Sequence, residues 1–323
     1  MSELLLKLNN VVKIFRYGLF GFEFRAIDNV SLSLEDKPFI FTVAGESGSG
    51  KTTLARIILG VHTPEHGEVL YKGKNIHALK GSDAIWFRRE VQAVFQDPYA
   101  AFNPLKKVYD YIYETAKNVA KIKEDEIESS IEDVLKRVGL SLEKVKGKYP
   151  SEFSGGELQR VAVARALITK PRLILADEPV SMLDASLRVT IVNLFKQFKD
   201  DLKISFIYIT HDLSTAYYIS DYIAIMYRGW IVEQGPVDKI FTDPLHPYTQ
   251  TLMMSAPMPD PKWRERWLKA IKLTATIEER EFLAKGCKYA ARCPYVMKKC
   301  IEQVPPEFIV NGVKVKCWLY ENK

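Results

Sequence analysis

The spacing of apolar and polar positions changes rhythm along this chain. Residues 1–80 alternate short apolar runs with turns, as in KPFIFTVAGE and GEVLYKGKNI, a pattern that predicts strands. From about Asp97 to Tyr149 the spacing becomes helical. Within KEDEIESSIEDVLKRVGL, residues Ile127, Ile131, Val134, Leu135 and Val138 share one face, opposite acids and bases. Strands return at RLILAD (172–177) and KISFIYIT (203–210), near-continuous apolar runs of the kind buried on both faces. Between them, SLRVTIVNLFKQFKDDL predicts the helix of a βαβ crossover, so the fold class is α/β. From Gly235 onward Pro, Asp and His cluster in GPVDKIFTDPLHPYT and APMPDPKW, which predicts a boundary before a small cysteine-bearing tail. No fixed-period repeat or low-complexity tract interrupts this order.

Composition narrows the class of protein. With 46 Lys plus Arg against 40 Asp plus Glu, the 323-residue chain carries +6, a mild excess without a run of five or six basic residues. That balance does not call for nucleic acid. Apolar residues at 47% and charged residues at 27% fit a folded chain with one large domain and an appendage, or two domains. No apolar run approaches the roughly 18–20 residues that span a bilayer. The start, MSELLLKLNN, lacks the features of a secretory signal. The expectation is a cytoplasmic chain that reaches any membrane through a partner. All four cysteines, Cys287, Cys293, Cys300 and Cys317, lie near the C-terminus, which favours a metal site over a disulfide framework. Plentiful Lys and Glu with scarce Gln hint at a thermophilic source, where cytosolic disulfides also occur.

The strongest chemical signal is Gly45-Glu46-Ser47-Gly48-Ser49-Gly50-Lys51-Thr52, a GxxxxGK[ST] motif between an apolar strand and an apolar-faced helix. Such glycines let backbone N–H groups turn in around phosphates, and the helix N-terminus adds partial positive charge. Lys51 would supply a point charge to the β- and γ-phosphates, and Thr52, followed by Thr53, a hydroxyl for Mg²⁺. The run Leu173-Ile-Leu-Ala-Asp177-Glu178 is a buried strand ending in two carboxylates. Asp177 is placed to hold Mg²⁺, and Glu178 to polarise an attacking water. Between these motifs, Ser154-Gly155-Gly156-Glu157 opens another helix with an anion-binding terminus.

Taken together these residues resemble the ATP-binding subunit of an ABC transporter over roughly residues 5–235. Gln96 in VFQDPYAAFNP resembles the Q-loop glutamine, Ser154, Gly155 and Gly156 the signature loop, Ser181 to Asp184 the D-loop, and His211 the switch histidine. These matches imply that Gln96 and His211 act with Glu178 in catalysis, and that Gln96 joins Thr52 and Asp177 as an Mg²⁺ ligand. Phe15 falls where the family stacks an aromatic on adenine, with Tyr17 as the runner-up. The resemblance implies a phosphate-loop NTPase with a RecA-like core, a β-subdomain and a helical subdomain at about 97–152. It implies head-to-tail pairing, in which one chain's Ser154–Gly156 loop covers ATP on the other chain's Lys51 loop, with Asp184 also among the nucleotide-binding residues. Glu157 stands where Gln is commoner, and Val180 where Thr is usual.

The region 236–323 narrows the resemblance. DPLHPYTQTLMMSAPMPDP is similar to the extension of oligopeptide and dipeptide importer ATPases, with His246, Pro247 and Tyr248 as its diagnostic run. The spacing Cys287-x5-Cys293-x6-Cys300-x16-Cys317 agrees, and family members with it can hold a [4Fe–4S] cluster. Four thiolates suit either Zn²⁺ or an iron–sulfur cluster, but the close Cys pairs of structural zinc sites are missing. Free thiols or a disulfide are the remaining options. FQDPYAAFNP is more similar to the second of the two paralogous ATPases, which implies a heterodimer. The other implied partners are two integral membrane permease subunits and an extracellular or periplasmic solute-binding protein, with this chain peripheral on the cytoplasmic face of the membrane. The implied cargo is peptide, with oligosaccharide or another solute as the alternative. An ABC ATPase acting on nucleic acid or the ribosome is a remoter reading, since the chain has one nucleotide domain, no long coiled coil and no basic arm. A regulatory module with a dead ATPase is opposed by Glu178.

Overall fold

The computed structural model describes residues 3–17, 22–255, 281–282 and 284–321, with Tyr17 and Phe22 described by backbone only. The Tyr17 side chain and the 256–263 part of the tail segment thus lie outside the described residues. The chain forms two compact units, and residues on both sides of Gly235 belong to the same one. The first comprises 1–36, 41–73 and 210–323; the second comprises 37–40 and 74–209.

In the first unit, the expected strands of the N-terminal region form an antiparallel sheet of Leu4–Tyr17, Phe22–Glu35 and His66–Tyr71. Over residues 30–35 the burial alternates. Val30, Leu32 and Leu34 are buried while Ser31, Ser33 and Glu35 face solvent, because successive side chains of a strand point to opposite faces. Leu8 sits opposite both Leu32 and Val69 in this core. The register slips between Leu8 and Val11, next to Asn10 in the left-handed region (φ 46°), where Asn tolerates the turn a bulge needs.

The same unit holds a second sheet that carries the candidate site. The fully buried strand Ile40–Ala44 pairs in parallel with Tyr222–Tyr227. That strand returns antiparallel as Trp230–Pro236 through a two-residue turn at Arg228 and Gly229, both with positive φ. Beyond it comes the hairpin Phe308–Val310 and Val313–Val315, joined by Asn311-Gly312 with φ of 52° and 78°. Its second strand pairs with the preceding one, Glu233 opposite Val315. The C-terminal residues therefore extend this sheet and share its core, in which Tyr227, Trp230, Val232, Tyr248, Tyr289 and Val313 pack together.

The second unit contains a parallel sheet in the order Val91–Val94, Leu173–Asp177, Ser205–Thr210. Both predicted central strands are present, as Leu173–Asp177 and Ser205–Thr210, and every residue of these two spans is buried. The predicted crossover helix runs Ala185–Leu202; Phe195 stacks on Phe206 at 5.0 Å, and Lys203 ends the helix in the left-handed region. The expected amphipathic helix is Glu124–Arg137, and Ile127, Ile131, Val134, Leu135 and the following Val138 are all buried. Helix Gly81–Glu90 precedes the stretch where helix was expected; its only buried residue is Phe87, so its periodicity is weak.

Candidate functional site

The phosphate-type loop grows from the end of Ile40–Ala44 and enters helix Lys51–Ile58. Its shape demands glycine at two points. A Cβ on Gly45 would lie 2.2 Å from the Met226 carbonyl oxygen, and one on Gly50, at φ 107°, 2.5 Å from that of Ala26. Inside the resulting curve, the Lys51 Nζ donates to the carbonyl oxygens of Gly45 and Glu46, both at 2.8 Å. Lys51 as a whole is 5% exposed, so its side chain is held within the loop and not spread into solvent. Ser49 is buried, and its carbonyl accepts from the Gly229 N–H at 2.8 Å. Ser47, Gly48 and Thr52 remain exposed, and Thr53 is half-buried. A cation and a helix N-terminus converging on one concave backbone can receive a polyphosphate.

Phe15 and His211 belong to the same compact unit. The half-buried Phe15 ring packs edge-on to His62 at 5.5 Å and lies 5.9 Å from Phe24. His211 is exposed directly after Thr210. The next residue, Asp212, caps helix Leu213–Ile219 by accepting from the Ser214 and Thr215 N–H groups, which anchors the backbone beside the histidine.

The second unit holds the remaining residues of the set. Asp177 ends its strand 7% exposed. Glu178 follows in the left-handed region at φ 47°, its N–H bonded to the Ile209 carbonyl and its carbonyl accepting from Ser181. A glutamate in that conformation is strained, and the backbone bonds on both sides over-determine it. Asp184 is the N-cap of Ala185–Leu202 and accepts from the Leu187 N–H at 3.0 Å; that bond and the Ser186 hydroxyl lower its pKa.

Gln96 is exposed just beyond Val91–Val94, in a segment tied at two points to the Ser154 region. The Gln159 Nε2 donates to the Phe95 carbonyl at 3.1 Å, and the Tyr99 hydroxyl to the Phe153 carbonyl at 2.9 Å. Ser154 caps helix Gly155–Leu167 in a capping box with Glu157, each accepting from the other's N–H. Glu157 also pairs with Lys144, and these bonds hold its carboxyl down at about 2. This box gives the departure from glutamine a physical role, one that a motif comparison missed.

All four cysteines line one small cavity beside Tyr289, Tyr295 and Trp318, and none is in a disulfide. Burial, reinforced by the neighbouring thiols, pushes Cys287 up to about 12 and Cys317 up to about 11. Among the described residues, no three His, Cys, Asp or Glu side chains are arranged to hold a metal ion. Sequence reasoning also missed how the His-Pro-Tyr run is held. The buried Glu233 carboxylate accepts from the Leu245 and His246 N–H groups, and the Tyr248 hydroxyl accepts from the Glu46 N–H at 2.9 Å. The signal available was a lone carboxylate in the apolar strand WIVEQGP.

Comparison with known proteins supports the same picture. Residues 27–181 match the family model for the ABC transporter, and 232–300 that for the oligopeptide/dipeptide transporter C-terminal region. The oligopeptide transport ATP-binding protein AppF of Bacillus subtilis is 38% identical over 94% of this chain and 93% of its own length. The dipeptide transport ATP-binding protein DppF of Haemophilus influenzae is 38% identical over 91% of this chain and 89% of its own. Among solved structures, an ATP-binding cassette captured as a dimer in a post-hydrolysis state with ADP and Pi has a TM-score of 0.63 and 27% identity. It covers 72% of this chain and 98% of the cassette. Among the described residues, no helix is long and apolar enough to cross a membrane.

Proposed function

Since this chain belongs to the ABC transporter ATP-binding proteins, in their oligopeptide/dipeptide transport group, we propose that it hydrolyses ATP to drive uptake of peptides through separate membrane permeases. The observation that carries the reading is the folded-in Lys51 ammonium at the mouth of helix Lys51–Ile58, already gathered around the space a polyphosphate would take. The loop amides and Lys51 bind the β- and γ-phosphates, and Phe15 and its aromatic neighbours offer a surface for the base. Thr52 and Asp177 supply hydroxyl and carboxylate oxygens, the donor chemistry that Mg²⁺ takes. That ion, when bound, neutralises charge that builds on the phosphates. Glu178 orients and deprotonates the attacking water, with Gln96 and His211 positioning the reacting groups. Ser154, Gly155, Gly156 and Asp184 serve the ATP of a second, paralogous subunit.

The domain plan that goes with this reading is 1–235 for the nucleotide-binding domain, with its helical subdomain near 97–152, and 236–323 for the extension. The chain works on the cytoplasmic face of the membrane, held there by two permease subunits and served by an extracellular or periplasmic binding protein. The thiols at one cavity, free of disulfides and under aromatic cover, are a donor set suited to a [4Fe–4S] cluster.

The test is ATP turnover by the intact complex, supplied with its binding protein and either mixed oligopeptides or mixed oligosaccharides. Stimulation by peptides supports the reading. Stimulation by sugars alone would replace the cargo and leave the ATP chemistry in place.

A further inference from the structure

The C-terminal extension reaches the phosphate loop at two points. The Tyr248 ring is fully buried, and its hydroxyl accepts from the N–H of Glu46, the second residue of the loop, at 2.9 Å. Arg292, the neighbour of Cys293, lies 3.6 Å from the Glu46 carboxylate. Behind these contacts the packing is continuous. Tyr248 meets Tyr227 at 4.4 Å and Tyr289 at 5.5 Å between ring centres, and Tyr289 lines the four-cysteine cavity. Arg292 is itself held by Glu281 at 2.7 Å, a 0%-exposed carboxylate that also pairs with Arg228 at 2.9 Å. Arg228 opens the turn whose Gly229 N–H bonds the Ser49 carbonyl at the other end of the loop.

These contacts have a direct consequence for the ammonium that binds phosphate. Lys51 is folded in by the carbonyls of Gly45 and Glu46. The peptide unit that carries the Glu46 N–H also carries the Gly45 carbonyl, so a bond to that N–H fixes the orientation of a Lys51 acceptor. A peptide free to rotate would aim its carbonyl elsewhere and release the ammonium.

We propose that Tyr248, with Arg292 as a second latch, is a positioning residue for the phosphate loop, so that the extension sets ATP affinity in addition to closing the sheet. This rests on the reading of the loop as the ATP site. Linkage makes the effect reciprocal: whatever orders the extension tightens ATP, and ATP in the loop tightens the extension.

The discriminating variant is Tyr248→Phe, which keeps the ring and removes one hydroxyl. It is compared with Tyr320→Phe, which removes a buried hydroxyl of the same extension that donates to the Leu245 carbonyl at 2.8 Å. In the intact complex, Tyr248→Phe is expected to weaken ATP about three- to tenfold in Kd and KM, the range one lost hydrogen bond allows. Turnover at saturating ATP stays close to the parent, since the reacting groups are untouched. Amide hydrogen exchange at Glu46 quickens, and exchange in helix Gly155–Leu167 does not. Kd and KM within twofold of the parent, with Glu46 exchange unchanged, would overturn the proposal. Equal weakening by Tyr320→Phe would overturn it too, by showing a general loss of stability. A parent complex that does not bind ATP would refute the functional reading itself, which keeps the two failures apart.

Discussion

Glu157 offers a stringent check, because its effect has a sign, a size and a pH window. Its carboxylate accepts from the Ser154 N–H and hydroxyl, each at 3.0 Å, and pairs with Lys144. These partners bring the carboxyl from 4.5 to about 2, led by Lys144. Taken at face value, that drop equals about 3 kcal/mol. The side chain is 20% exposed and its lysine partner 47%, so solvent screening reduces the net contribution to about 1 kcal/mol. Because the folded value lies below the unfolded one, this stability is fully present above the ordinary carboxylate range. It is lost as pH falls from about 5 towards about 2. Glu157→Gln keeps an oxygen for the Ser154 N–H but gives up the charge, so it is expected to cost about 1 kcal/mol at pH 7, clearly less near pH 3 and almost nothing at about pH 2 and below. Urea unfolding of parent and variant at several pH values measures the difference. A cost that does not change with pH, or a variant more stable at pH 7, would refute the capping-box account.

Further expectations concern other parts of the molecule. Lys51→Ala removes a charged hydrogen-bond donor to phosphate, a loss of about 3 kcal/mol, and is expected to weaken ATP about 100-fold in a direct binding titration. Gln159→Leu should leave stability within about 1 kcal/mol, because the Oε1 of this fully buried side chain has no hydrogen-bond partner and its removal offsets the lost bond to Phe95. Turnover should nevertheless fall severalfold as the Gln96 segment loosens, and unchanged steady-state ATPase would contradict that role. Anaerobically purified chain is expected to carry about four iron atoms, and Cys300→Ser to lose them. Stoichiometric zinc without iron would reverse that assignment.

Much of the site was legible in the sequence because its signals are local. Gly45 to Thr52 leads from a fully buried strand directly into one helix, so the motif and both its flanks can be read from one short stretch of chain. The helix Glu124–Arg137 was equally readable, since its buried face repeats at helical spacing. What escaped was long-range. The bond between Glu46 and Tyr248 joins residues 202 apart in the chain, and nothing in either local stretch announces it. Glu233 looks like a solvent-facing charge in an edge strand until the Leu245 and His246 N–H groups are brought to it. Asn311-Gly312 is a strong hairpin signal, but its three-residue strands are too short to display alternation. The position of Gly81–Glu90 was hidden because only one of its residues is buried.

The central claim is that this chain hydrolyses ATP through Glu178. The most direct measurement is steady-state ATP turnover of the assembled complex, parent against Glu178→Gln, with nucleotide binding measured on the same samples. The account predicts that turnover falls at least about 100-fold, as the loss of a general base implies, while ATP binding is kept. Turnover unchanged by the substitution, in a complex that still binds ATP, would contradict it.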